Sequence, residues 1–114
     1  MLDIGAHRGY LAAYAFMKGA AAVVSFEPQS ENYGLIRESR DLSPAVRDRW
    51  KVFRLGVGVA HGEMDLLVSE RSRSHTFHAG AKSDIVAREK VIIVPLTHAV
   101  DIAHVTVQAA ATAA

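Results

Sequence analysis

The chain contains no cysteine, which excludes a disulfide framework and any thiolate metal site. Its 114 residues include only three prolines, and each stands where an element is expected to start or stop: Pro28, Pro44 and Pro95. Neither sign of charge dominates, because 13 Lys and Arg oppose 12 Asp and Glu for a net +1. A nucleic-acid binder needs a concentrated basic face, so that class is set aside. The cluster Arg47, Arg49, Lys51 and Arg54 reads as a solvated loop and strand entry. No apolar run is long enough to span a bilayer, the stretch Leu11 to Met17 being far too short, and no basic leader precedes it. The chain therefore reads as soluble and cytoplasmic, with no membrane role and no internal repeat.

What is present is concentrated in the first 28 residues. Met1-Leu2-Asp3-Ile4-Gly5-Ala6-His7-Arg8-Gly9 leads into an apolar helix and then into Val23-Val24-Ser25-Phe26-Glu27-Pro28. A short apolar strand ends in an acid and a glycine-bearing turn, a helix carries the chain back, and a second apolar strand ends in another acid. Open α/β sheets bind ligands at such carboxyl-end tips. Gly5 and Gly9 permit a sharp turn and a close backbone approach to a ligand. Asp3 and the turn amides can face a charged amino acid group, and Glu27 stands where a carboxylate accepts hydrogen bonds from both hydroxyls of an unphosphorylated ribose.

Two nucleoside cofactors compete for this half-site. A dinucleotide fingerprint requires G-x-G-x-x-G, whereas Gly5 to Gly9 supplies a single G-x-x-x-G spacing. An acid directly before the turn repels a pyrophosphate and suits a ligand bearing an ammonium. S-adenosylmethionine fits better than NAD.

Asp3-Ile4-Gly5-Ala6-His7-Arg8-Gly9, followed by Ser25-Phe26-Glu27-Pro28 and Glu31-Asn32-Tyr33, resembles the FkbM-type S-adenosylmethionine-dependent methyltransferases. The similarity runs from Met1 to about Leu96 and includes Leu55-Gly56-Val57-Gly58. The resemblance implies an α/β, Rossmann-like open sheet with flanking helices, incomplete at the carboxyl end, and O-methylation of a small-molecule or sugar-like hydroxyl. It also implies that Asp3, Gly5 and Gly9 form the first cofactor motif with His7 lining the same loop. Glu27 would hold the ribose, Phe26 or Pro28 would lie beside the adenosine, and Gly56 and Val57 would border the adenine, without the acid that many methyltransferases place there. The family usually continues into Asp-x-Glu-Gly-x-Glu. Here Asp101-Ile102-Ala103-His104 runs instead into an atypical Ala-rich tail, so the expectation is one partial domain: a cofactor-binding half over residues 1–60, a hairpin, loop and strand over 61–100, and the tail over 101–114.

Along the chain, Gly9 to Lys18 reads as a helix apolar nearly all round, buried against a sheet and closed by Gly19. Pro28 and Ser30 open a second helix, with Tyr33, Ile36 and Leu42 on one face and Ser43-Pro44 at its end. A third strand is expected over Lys51 to Val57. His61-Gly62-Glu63 reads as a turn into Met64 to Ser69, making a hairpin. Glu70 to Lys90 reads as a mobile loop over the cofactor site, and Val91 to Pro95 as a strand ended by its proline.

Six histidines are present. Of these His61, His75, His78 and His104 follow no metal-ligand spacing, so no metal is expected. His75 or His78, on the loop, is the candidate general base for an acceptor hydroxyl, since imidazole titrates near neutral pH. Three classes of function remain: an active methyltransferase, a cofactor-binding remnant without catalysis, and a non-enzymatic α/β module that self-associates through an exposed sheet edge.

Overall fold

The structure, a computed structural model, describes residues 1–69 and 85–113. Its centre is β2 (Val23–Phe26), an apolar strand buried along its whole length. Alternation sends Val23 to one side of the sheet and Val24 and Phe26 to the other, as the two-residue period of a strand requires. β1 (Leu2–Ile4) and β3 (Trp50–Phe53) flank it in parallel register, with Asp3 opposite Ser25 and Ser25 opposite Val52. Parallel neighbours cannot be joined by tight turns and need crossover connections. The crossovers are α1 (Tyr10–Met17) and α2 (Ser30–Asp41).

Both crossover helices pack on one face of this sheet, where Ala12 and Ile36 meet Val23, Trp50 and Val52. The opposite face is covered by α3 (Leu96–Ala113), whose Ala99, Ile102 and Ala103 pack against Val24, Phe26 and Phe53. Phe26 and Phe53 stack with ring centroids 5.6 Å apart. A second three-stranded sheet follows, formed by β4 (Gly56–Gly58), β5 (Gly62–Ser69) and β6 (Ile85–Pro95) in the order β4-β6-β5. β6 runs parallel to β4 and antiparallel to β5. The protein is thus a small α/β domain with one parallel and one mixed sheet. Among the described residues no helix is long and apolar enough to cross a membrane.

Several expectations from the sequence are corrected. The single strand expected over Lys51 to Val57 divides at Arg54 and Leu55: β3 pairs with β2, while β4 passes to the second sheet and pairs with β6. Met64 to Ser69 does form a strand, but its antiparallel partner is β6 and not the third strand. Of the stretch Glu70 to Lys90, expected to be a loop, the part from Ile85 onward belongs to β6, and the part before it lies outside the described residues. The Ala-rich tail continues a helix that begins at Leu96, consistent with alanine having the highest helix propensity. Leu42 does not share the buried face of α2. It caps the helix and is 75% exposed, whereas Ile36 is fully buried.

α1 was expected to be buried. Only its Ala12 is, while Tyr10 is 74% and Met17 83% exposed. An eight-residue helix lying on one face of the sheet can turn only one side to it, so apolar residues elsewhere on its surface face solvent. Its end matches expectation: Gly19 takes φ +95° and the Ala20 N–H reaches back to the Ala15 carbonyl at 2.9 Å, the left-handed closure that favours glycine.

Phe26 joins the central strand to α3, so Phe26→Ala is expected to cost about 3–5 kcal/mol by leaving a cavity that the sheet and helix cannot both close. Urea unfolding measures this, and a loss below about 1 kcal/mol would mean that α3 is not packed on this face.

Candidate functional site

The sequence places one acid at the end of each of two adjacent strands, and parallel pairing brings those ends side by side. Glu27 follows β2 directly, and its own N–H donates to the Phe53 carbonyl at 3.1 Å. Glu27 is only 5% exposed. Its Oε1 accepts the His7 backbone N–H at 2.7 Å and its Oε2 the Gln29 backbone N–H at 3.0 Å. One side chain therefore ties the loop after β1 to the entrance of α2. An ionised carboxylate offers about four acceptor positions, so roughly two remain after these bonds.

The loop needs that anchor. The Gly5 and Ala6 N–H groups both donate to the Phe26 carbonyl, at 2.9 and 3.1 Å, and the Gly9 N–H donates to the Ala6 carbonyl at 2.9 Å. Three of its residues have positive φ: Gly5 at +67°, His7 at +57° and Gly9 at +86°. His7 has a Cβ, and a residue of that kind in the left-handed region carries local strain on the order of 1 kcal/mol. The charge-assisted bond from its N–H to Glu27 is of comparable or greater strength. Gly9 is required twice over, since a Cβ there would also stand 3.2 Å from the Trp50 ring.

Asp3 is 3% exposed. Its Oδ2 accepts the Ser25 hydroxyl at 3.3 Å, and the Ser25 Oγ in turn accepts the Trp50 indole N–H at 3.0 Å. The chain Trp50–Ser25–Asp3 crosses all three parallel strands and orients the acid from beneath. Burial raises the Asp3 pKa from its ordinary 3.8, against the lowering effect of the Ser25 hydrogen bond. Burial likewise raises the Glu27 carboxyl from its ordinary 4.5. The Gln29 and His7 amides and the charge of His7 oppose that rise, and repulsion from Asp3 adds to it. Two partly desolvated carboxylates within electrostatic reach form a site that favours a cation and hydroxyl donors.

α2 begins beside this pair. Gln29 caps it, its Oε1 accepting the Asn32 N–H at 2.8 Å. Asn32 is 1% exposed and its side-chain nitrogen has no hydrogen-bond partner, an omission that costs about 1–3 kcal/mol. Glu89 of β6 accepts both the backbone N–H (3.0 Å) and the hydroxyl of Ser30. Arg54 donates to the Pro28 carbonyl at 3.2 Å and lies 3.7 Å from Glu89. The second sheet is thus held against the first turn of α2, next to Glu27.

Of the residues singled out in the sequence, Asp3, Gly5, His7, Gly9 and Glu27 come together. Phe26 does not join them: it is fully buried in the core beneath α3, which leaves Pro28 of that pair nearer the surface. Gly56 and Val57 are held in β4 opposite Ile93 and Val94. His75 and His78 lie outside the described residues. Arg49 of the basic cluster spends its guanidinium on the Ala20, Ala21 and Ala45 carbonyls and sits over the Phe16 ring. A hollow lined by Gly34, Arg37, Glu38, Asp41 and Leu42 on α2 contains none of the residues of the acid pair.

Sequence reasoning missed Ser25, Trp50, Gln29 and the Ser30–Glu89–Arg54 clasp. Two signals were available: a serine inside an otherwise apolar strand needs a buried partner, and so does a lone indole N–H. Glu89 gave no such signal because its segment was read as loop.

With folded-state pKa values raised, Asp3 and Glu27 ionise later in the folded chain than in the unfolded one. Their contribution to stability is full below the unfolded values and is lost as pH rises through the folded ones. Asp3→Asn is therefore expected to raise stability at pH 7 and to flatten the decline between pH 4 and 7. Denaturant midpoints across that range check this, and an unchanged slope would remove Asp3 from the account. Comparison with known proteins finds no matching family model, no matching curated protein and no matching solved structure.

Proposed function

We propose that the domain binds S-adenosylmethionine at the carboxyl ends of β1 and β2 and is a Rossmann-like methyltransferase of the FkbM type, acting on a small-molecule hydroxyl in the cytoplasm. The observation that carries this reading is the juxtaposition of two buried carboxylates with a left-handed, glycine-bearing loop hung from one of them. The β1-α1-β2-α2-β3 order with parallel pairing supports it, because ligands of open α/β sheets bind at that end. In this reading Asp3 and the amides of residues 5–9 face the amino acid end of the cofactor, and the remaining acceptor positions of Glu27 take the ribose hydroxyls.

Methyl transfer asks little acid–base chemistry of the protein. The sulfonium already activates the methyl group, and the chain has to bind the cofactor, align the acceptor oxygen in line with it and exclude water. A base is needed only to take the acceptor's proton, a task proposed for His75 or His78.

A second reading has its own support. Both oxygens of Glu27 already hold backbone amides, so the acid can serve as a loop clamp in a chain that no longer turns over substrate. Calorimetric titration with S-adenosylhomocysteine, with NAD as control, separates the two. Saturable binding of the former is expected, weakened by about 1–3 kcal/mol in Glu27→Ala once circular dichroism has shown that the variant is folded. A folded wild-type chain that binds neither ligand would leave the clamp as the role of Glu27.

A further inference from the structure

A second candidate site is built from residues other than the acid pair and is independent of the cofactor reading. Sheet register creates it. Gly56 and Gly62 both stand opposite Ile93, and Gly58 stands opposite Pro95, so the turn between β4 and β5 lies beside the point where β6 passes into α3. His61 ends that turn and His98 lies in the first turn of α3. Both are exposed. Their ring centroids are 5.0 Å apart, with the planes inclined at 63°.

That separation can be compared with what a shared ion requires. A zinc–nitrogen bond is about 2.0–2.1 Å, and an imidazole centroid lies roughly 1.2 Å behind its nitrogen. Two imidazoles on one tetrahedral ion therefore have centroids about 5.2 Å apart, and two at a right angle about 4.5 Å. The observed distance falls between these limits. We propose that His61 and His98 form a two-histidine site for a borderline divalent transition-metal ion such as Zn²⁺, completed by water. Imidazole selects such ions over Mg²⁺ and Ca²⁺, which take oxygen ligands. Among the described residues no group of three or more His, Cys, Asp and Glu side chains converges, so the ion keeps solvent positions and binds more weakly than a four-ligand structural zinc. Bridging the β4–β5 turn to the start of α3, it stabilises the folded chain by linkage.

The test is a titration of the untagged chain with ZnCl₂ at pH 7.5, followed by calorimetry and thermal unfolding. Expected are one-to-one binding and a raised melting temperature, with affinity at least ten-fold lower in His61→Gln and in His98→Gln. His104→Gln should bind as the wild type does. Absence of binding by the folded chain, or undiminished affinity in either of the first two variants, overturns the proposal. Ring-proton NMR of the wild type reads the site without substitution: zinc-induced shifts at both His61 and His98 support it, and shifts confined to other histidines overturn it.

Discussion

The carboxylate of Glu27 lies between two backbone amides that belong to different parts of the fold, His7 in the loop after β1 and Gln29 at the entry to α2. A buried N–H left unpaired costs about 1–3 kcal/mol, and Glu27 accepts from both of these. One side chain removes both deficits and sets the spacing between the strand ends. The left-handed φ of His7 and the capping geometry of Gln29 are acceptable because this bond network holds them. Replacing the acid by an apolar residue would leave two buried donors and a strained loop, so the consequences would exceed the loss of a single contact.

This arrangement has an electrostatic cost that folding alone does not explain. Asp3 and Glu27 are both buried, both raised in pKa by desolvation, and within range of each other's charge. A core optimised for stability would not place two acids there. The Trp50–Ser25–Asp3 chain and the Glu27 clamp reduce the cost without removing it, and such residual tension is common at sites built for a ligand. In the proposed reading, a ligand carrying a positive charge and vicinal hydroxyls would relieve it.

The strand–helix–strand unit at the amino end was legible in the sequence because its signals are local. Acids follow short apolar strands, Gly9 and Gly19 bracket the first helix, and Pro28 precedes the second. The second sheet was not legible. β6 pairs on both sides with strands distant in sequence, and its first residues include Arg88, Glu89 and Lys90, a polar run without apolar alternation. The division of the third strand depends on a change of sheet at Arg54 and Leu55 that no residue there announces. The Ala-rich tail reads as a departure from the family pattern, although alanine has the highest helix propensity and the segment is helical. For the site, the acids and the loop were visible, while Ser25 and Trp50 became meaningful only when parallel register set them in line with Asp3. The facing of His61 and His98 is a consequence of the same long-range pairing, and their spacing along the chain carries no trace of it.

The most direct test of the Glu27 clamp is a pH titration of the His7 and Gln29 backbone amides by ¹H–¹⁵N NMR. If one carboxylate accepts both, the two amide protons lie downfield and move together with a single apparent pKa above the ordinary glutamate value of 4.5. Amides that titrate separately, or not at all, would contradict the claim that this bridge organises the loop, the helix entry and the site between them.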